Sequence, residues 1–252
     1  MNKINKLASL MKQSKYTVFF GGAGVSTESG IPDFRSESGL YAAKEVYGYP
    51  PEELLSRGFF EREPALFFRY YKENLIARGA RPNAAHRALA ELEPRGLLRA
   101  VVTQNIDGLH QMAGSKNVLE LHGSNHRPYC VLCRTKYPLE YILDSGNCEG
   151  GVVPVCKKCG GTVRPDVVLY GENLDGEVVS AATEEITSAD LLIVGGTSLS
   201  VYPAAGLLRY FRGGALVLIN KTETPYDGGA RLVVRDAIGK TLDQMMEVLD
   251  GR

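Results

Sequence analysis

The sequence predicts an α/β fold, a parallel sheet with helices on both faces, interrupted by a small inserted module. Four short apolar runs have the length and composition of buried strands: YTVFF (16–20), RAVVT (99–103), DLLIVGG (190–196) and ALVLIN (215–220). Helical patterns accompany them at 64–78, 84–93, 177–188 and 239–249. Strands alternating with helices give a parallel sheet covered on both sides. The stretch 122–165 breaks this rhythm. It is rich in Cys, Gly, Pro and polar residues and has little apolar periodicity, so something other than an apolar core must hold it.

The chain opens with MNKINKLASLMKQSK, in which Ile4, Leu7, Leu10 and Met11 share one side of an amphipathic helix. This segment is basic but lacks the apolar centre of a secretion signal, and the absence of Arg argues against a transit peptide. No apolar run approaches the ~20 residues of a membrane span. The expected location is the cytoplasm, with no membrane partner. At 252 residues, with 44% hydrophobic and 23% charged residues, the chain suits one large globular domain or one and a half. Lys plus Arg and Asp plus Glu both number 29, so net charge points to neither nucleic acid nor an anionic surface.

After the first strand comes GGAGVSTESGIPDFR (21–35). The small residues Gly22, Ala23 and Gly24 let backbone N–H groups approach a pyrophosphate, and Ser26 and Thr27 add hydroxyl donors. A dinucleotide fingerprint would carry a third Gly where Thr27 stands, and glycine-rich turns after strands are common without any ligand. A second interruption of the α/β rhythm, 36–80, is aromatic and carries helix signals such as Pro50-Pro51-Glu52-Glu53.

Polar clusters follow the later strands as well: Gln104-Asn105-Ile106-Asp107, Thr197-Ser198 and Asn220. Ligands of open α/β sheets bind at the carboxyl ends of strands. Any one cluster could be a turn former, but several at one edge argue for a site. His122, in Leu119-Glu120-Leu121-His122-Gly123, lies at the end of a short apolar run. It is either a general base active near neutral pH or a histidine satisfied by neighbouring backbone. His86 and His110 fall within helical patterns, where packing or capping is the expected role.

Four of the five cysteines form two C-x-x-C pairs, Cys130/Cys133 and Cys156/Cys159, separated by 22 residues. Two such knuckles make a tetrahedral four-thiolate site suited to one zinc ion, with no open position and hence a structural role. Metal binding would then supply the folding energy of a module short of apolar residues. The alternatives are unrelated thiols or a redox pair. Cys148 fits neither knuckle, and His126 is displaced as a ligand by the complete thiolate set. Arg127, Arg134, Lys136, Lys157, Lys158 and Arg164 are offset by Glu140, Asp144 and Glu149, so no direct nucleic-acid contact is expected.

Together these segments resemble the sirtuins, the silent-information-regulator family of NAD-dependent protein deacylases. The matching stretches are GAGVSTESGIPDFR (22–35), PNAAH (82–86), TQNIDGLH (103–110), LHG (121–123), the paired cysteines, RPDVVLYGENL (164–174), GGTSLSVYPA (195–204) and IN (219–220). They run in the family's order and span nearly the whole chain.

The resemblance implies a Rossmann-like NAD-binding domain built from 1–35, 81–122 and 165–252. A helical insertion, 36–80, and a zinc module, 123–164, would form a small lobe. It implies NAD contacts from Gly22, Ala23, Gly24, Thr27, Asp33, Phe34 and Arg35. Asn105, Ile106 and Asp107 would line the nicotinamide pocket, Gln104 and His122 would meet the ribose, and Gly196, Thr197, Ser198, Asn220, Asp236 and Ala237 would hold the adenosine half. His122, Asn105 and Asp107 are the implied catalytic residues. An acetylated-lysine peptide would add an extended strand along Val167, Val168, Tyr170, Gly171, Glu172 and Asn173.

The implied reaction moves acetyl from lysine to ADP-ribose with release of nicotinamide. Deacylation of longer neutral acyl groups and mono-ADP-ribosyl transfer are alternatives, and a non-catalytic NAD-sensing zinc module is a reading of a different class. Two departures stand out. Gly21 replaces the Thr usual before Gly-Ala-Gly. Phe68 and Tyr71 stand where family members preferring succinyl or malonyl groups carry Tyr and Arg, so neutral acyl groups are expected. A monomer is the expected state.

Overall fold

The structure, a computed structural model, describes residues 2–32 and 43–251. Its centre is a six-stranded sheet, parallel throughout, in the order β10-β9-β8-β1-β2-β3. The strands are β1 (Thr17–Gly21), β2 (Ala100–Thr103), β3 (Val118–Glu120), β8 (Leu191–Gly195), β9 (Ala215–Ile219) and β10 (Leu232–Val234). The four predicted strands are all present, each within a residue or so of its expected limits. The two edge strands, β3 and β10, were not expected as strands. Three residues each give too little pattern to read.

Side chains alternate across the sheet, and this builds two cores. Phe19, Ile193 and Val217 face helices α1 (Lys3–Gln13), α6 (Ala84–Leu92) and α10 (Ile238–Leu249), joining Leu7, Met11, Leu89 and Leu242. Val18, Phe20, Leu192 and Leu218 face α9 (Gly176–Ser188) and a 3-10 run at Ala204–Tyr210. Each long helix starts on a side-chain cap where the sequence supplies one. Asn2 caps α1, Asn83 caps α6, and Asp175 accepts from Glu177 N and Val178 N at the start of α9. Helix α10 has no local side-chain cap; the Glu28 carboxylate, 211 residues away in sequence, accepts from Gly239 N at 2.6 Å.

A third core is aromatic. Helices α2 (Ala43–Tyr47), α3 (Pro51–Leu54), α4 (Arg57–Arg62) and α5 (Pro64–Asn74) contribute Leu54, Phe59, Phe67, Phe68, Tyr70 and Tyr71. They pack on Cys130, Ile142, Cys156 and Val163 of the cysteine-bearing segment. That segment carries β4 (Gly123–Cys130), α8 (Leu139–Leu143), β5 (Cys148–Glu149), β6 (Val153–Pro154) and β7 (Val163–Val167), with β4 paired to β7 and β5 to β6, both antiparallel. Helix α5 stops at Asn74, short of the expected 78. Leu75 and Ile76 still pack on the aromatic core, which carries the apolar period onward. The Leu75 carbonyl is instead taken by Asn125 Nδ2 at 2.9 Å. The short helix α7 (Leu109–Ala113) completes the set.

Candidate active site and metal centre

Because the sheet is parallel, the segments that follow its strands emerge at one edge and line up in strand order. From β10 to β3 they carry Asp236 and Ala237, then Asn220, then Gly196 to Ser198, then Gly22 to Thr27, then Gln104 to Asp107, then His122. Five inter-strand steps make a row of roughly 24 Å. Asp33, Phe34 and Arg35 lie outside the described residues.

Glycines bring the two central loops together. Gly24 N donates to Gly196 O at 2.8 Å, and Gly22 N to Gly195 O at 3.3 Å. A Cβ on Gly196 would stand 2.4 Å from Val25 N, and Gly196 has φ +60°. A Cβ on Gly24 would stand 2.7 Å from Gly196 Cα. Only glycine at both positions permits this backbone-to-backbone approach. Gln104 Nε2 reaches Thr197 Oγ1 at 3.1 Å, while Thr27 turns its hydroxyl inward to Gly24 O at 3.0 Å.

Asn105 and Asp107 meet at Ser26. The Ser26 hydroxyl donates to Asp107 Oδ2 at 2.6 Å and accepts from Asn105 Nδ2 at 3.1 Å. The other Asp107 oxygen accepts from Leu109 N at 2.9 Å, fixing the carboxylate against the start of α7. Asn83 anchors the loop from behind, donating to Val25 O at 2.7 Å and Ser29 Oγ at 3.0 Å. Beyond capping α6, Asn83 is thus a support the sequence reading did not single out; PNAAH was its only signal. Ser26 was read as a phosphate-facing hydroxyl, but its hydroxyl is spent inside the protein.

His122 Nδ1 lies 2.9 Å from the Gln104 carbonyl. A carbonyl only accepts, so Nδ1 carries the hydrogen and Nε2 presents its lone pair. Burial lowers the His122 pKa below 6.5, with the Gln104 carbonyl partly opposing it. The ring is therefore neutral at pH 7 and able to take a proton. His126 Nε2 donates to Asp107 O at 2.9 Å and Asn125 N to Ile106 O at 2.9 Å, so β4 is stitched to the Gln104–Asp107 loop. His86 and His110 play the expected packing and capping parts: His86 Nδ1 accepts from Asn83 N at 3.3 Å, and the two rings lie 4.7 Å apart, buried.

At the distal end the polar side chains are held locally. Asn220 donates to Thr222 O at 3.0 Å, Ser198 Oγ lies 2.8 Å from Ser200 Oγ, and Asp236 joins Ala237 N at 2.8 Å and Lys240 Nζ at 2.7 Å. Asn220 N donates to Val234 O at 3.1 Å, which sets Asn220 beside Asp236 along the edge.

The 167–173 segment leaves β7 next to His122. Val168 N donates to His122 O at 3.0 Å, Leu169 N to Glu172 Oε2 at 2.9 Å and Tyr170 N to Leu55 O at 3.0 Å. The N–H groups from Val168 to Tyr170 are thus committed inside the chain. Among the described residues, the Val168 carbonyl and Gly171 N–H have no partner within it. Val168 is half-buried, and Tyr170 is 52% exposed. Glu172 forms a bidentate pair with Arg164 at 2.6 and 3.0 Å. Burial alone would raise the Glu172 pKa, but Arg164 and Leu169 N hold it below 4.5.

The Sγ atoms of Cys130, Cys133, Cys156 and Cys159 all lie within 4.8 Å of one another. Cys130 to Cys159 is 3.4 Å and Cys133 to Cys156 is 3.6 Å. A tetrahedron with Zn–S of about 2.3 Å has edges of about 3.8 Å, so the four sulfurs fit a zinc ion. The Tyr137 hydroxyl lies 2.9 Å from Cys156 Sγ and the Thr135 hydroxyl 3.2 Å from Cys133 Sγ, available as donors to thiolates. Cys148 lies outside this set, its Sγ near Asp144 O at 3.3 Å and Lys72 Nζ at 3.4 Å.

The fold and site define a dinucleotide-binding α/β protein with a four-cysteine zinc module. The Sir2 family profile matches residues 22–203. A relative from Clostridium perfringens, an NAD-dependent protein deacetylase, is 58% identical and aligned over 98% of this chain and 99% of its own. Another of the same name, from Clostridium acetobutylicum, is 56% identical with the same coverage of both chains. A solved Sir2 structure with a p53 peptide and NAD+ is 39% identical, with a TM-score of 0.86 and full coverage of both chains. A second, bound to a propionylated peptide, is 40% identical with a TM-score of 0.87, covering 98% of each chain. The chain belongs to the Sir2 family. No helix among the described residues is long and apolar enough to cross a membrane.

Proposed function

We propose that the protein is an NAD-dependent protein lysine deacetylase, transferring acetyl from acetyl-lysine to ADP-ribose and releasing nicotinamide and free lysine. The observation that carries this reading is His122. It has a fixed Nδ1–H tautomer, a lowered pKa and a position at one end of the row of strand-end loops. Membership of the family and the activity of its relatives support the same reading.

NAD is a substrate here, consumed at each turnover. Asn105 and Asp107, locked through Ser26, line the end of the cleft where nicotinamide departs. The acyl oxygen attacks the anomeric carbon as the neutral nicotinamide leaves, so exact placement and exclusion of water set the rate. His122 Nε2 then accepts the proton of a ribose hydroxyl, which attacks the imidate carbon. Water completes the release of lysine and O-acetyl-ADP-ribose. Zinc, bound by the four cysteines, holds the module together and takes no part in the chemistry.

The acyl group is neutral: acetyl, with propionyl as the next candidate. Phe68 and Tyr71 are fully buried, and the Tyr71 hydroxyl donates to Asn125 Oδ1 at 2.7 Å, so neither position offers a cation to a carboxylated acyl chain. The peptide lies extended along the 167–173 segment, where the Val168 carbonyl and the Gly171 N–H have no partner among the described residues. The division into an NAD-binding domain and a small lobe of 36–80 and 123–164, a cytoplasmic location and a monomeric state complete the reading.

Mass spectrometry of an acetyl-lysine peptide, incubated with the protein with and without NAD, tests it. NAD-dependent loss of acetyl, with equal nicotinamide and O-acetyl-ADP-ribose, is expected. Nicotinamide release with label retained on protein would favour ADP-ribosyl transfer. Faster turnover of succinyl than acetyl peptides would overturn the neutral-acyl assignment.

A further inference from the structure

Arg164 is nearly buried, at 7% exposure, and among the described residues its side-chain hydrogen bonds all go to the segment that follows it. One NH2 nitrogen donates to Val167 O at 2.7 Å and to Glu172 Oε2 at 3.0 Å, and NH1 donates to Glu172 Oε1 at 2.6 Å. The guanidinium also lies over the Phe60 ring, 5.3 Å from its centroid. Glu172 in turn accepts from Leu169 N at 2.9 Å and donates its own N–H to Leu169 O at 2.9 Å. Leu169 is buried in the aromatic core.

The result is a closed loop of bonds around residues 167–172. It leaves the Val168 carbonyl and Gly171 N–H without a partner among the described residues. A buried ion pair is an inefficient way to add stability, since desolvation offsets most of the attraction and apolar replacements often do as well. It does impose one geometry.

We infer that the Arg164–Glu172 pair is a positioning device that presets the peptide-docking segment, fixing the turn from Leu169 to Glu172 so that Val168 O and Gly171 N–H are held in place for an acyl-lysine peptide. This rests on the proposed peptide substrate. Preorganisation of this kind acts on affinity by sparing the guest the cost of ordering its host. The pair therefore sets peptide affinity and leaves NAD binding and the chemical step alone.

The test uses full-length protein with Arg164→Lys, Glu172→Gln and the double variant. Each single change should raise the KM for an acetyl-lysine peptide about tenfold while kcat and the Kd for NAD stay within about twofold. The double variant should be no worse than the poorer single, because either change opens the same loop. Equal rises in peptide and NAD constants, or an unchanged peptide KM with a lowered Tm, would overturn the inference. Hydrogen exchange on the wild type gives a measurement free of folding defects. The Leu169 amide should exchange slowly without peptide, and the Gly171 amide should become slow only when peptide binds. Fast exchange at Leu169 in the free protein would show that the loop is not preset. A wild type that neither binds nor deacetylates acetyl-lysine peptides overturns the proposed function and this inference with it. Normal wild-type activity with unaffected variants overturns the inference alone.

Discussion

Ser26 Oγ lies 2.6 Å from Asp107 Oδ2, a bond between loops 81 residues apart that also receives Asn105 Nδ2. It ties three separate side chains into one group on the loops that follow β1 and β2, where the proposed function puts the departing nicotinamide. Replacing Ser26 with Ala leaves a carboxylate and an amide without their shared partner, a loss of about 1–3 kcal/mol at a buried position. Steady-state kinetics of Ser26→Ala should show kcat/KM down roughly 10- to 100-fold. A variant within twofold of wild type would mean that Asn105 and Asp107 hold their places unaided.

His122 must be neutral to accept a proton. Its pKa is depressed by burial, so the acid limb of kcat/KM should fall below pH 6.5, the ordinary imidazole value. Activity should be flat through pH 7 and drop only in more acidic buffer. His122→Ala should lose turnover while still binding NAD, as read by calorimetry. A midpoint at or above 6.5 would contradict the burial argument.

His86 and His110 are buried side by side, with His86 Nε2 and both nitrogens of His110 lacking hydrogen-bond partners in the structure. Burial lowers the His86 pKa to about 4, with Asp107 partly opposing and Arg87 adding to the shift. Burial, with His86 adjacent, lowers the His110 pKa to about 3. Folded-state values below the unfolded 6.5 mean that the unfolded chain binds the protons first. Stability is therefore complete above pH 6.5 and falls as pH drops toward 4, by up to about 1.4 kcal/mol per pH unit per histidine. Thermal melts from pH 7 to 5 should show the decline, with a shallower slope in His110→Leu. Equal slopes would remove His110 from the linkage.

Stripping zinc should unfold the cysteine module and loosen what rests on it. Cys130 and Cys156 are buried in the same aromatic core as Phe59, Phe67 and Leu169. A strong chelator, or Cys130→Ser, should lower Tm and abolish deacetylation without direct loss of any NAD contact. Retained Tm after verified zinc loss would show that the aromatic core suffices alone.

Much of this was readable in the chain. The central strands were legible because burial on both faces makes them continuous apolar runs such as DLLIVGG, and the zinc site because thiolate spacing is local. The edge strands β3 and β10 escaped because three residues carry no period, and the overrun at α5 arose because Leu75 and Ile76 stay apolar past the last helical turn.

The sequence by itself determined which residues are available and at which strand ends most of them emerge: Gly22 to Thr27 after β1, Asn105 and Asp107 after β2, Gly196 after β8, Asn220 after β9. Local patterns are enough for that, since strand period, capping residues and C-x-x-C spacing act within a few positions. Only the tertiary structure decided how they combine. Strand order set the six clusters in one row, the Gln104 carbonyl chose the His122 tautomer, Ser26 proved to be a bridge between Asn105 and Asp107, and Glu28 proved to be the cap of α10. Those contacts join residues from 18 to 211 positions apart, and no local propensity encodes a hydrogen bond whose partner arrives only when the sheet has formed.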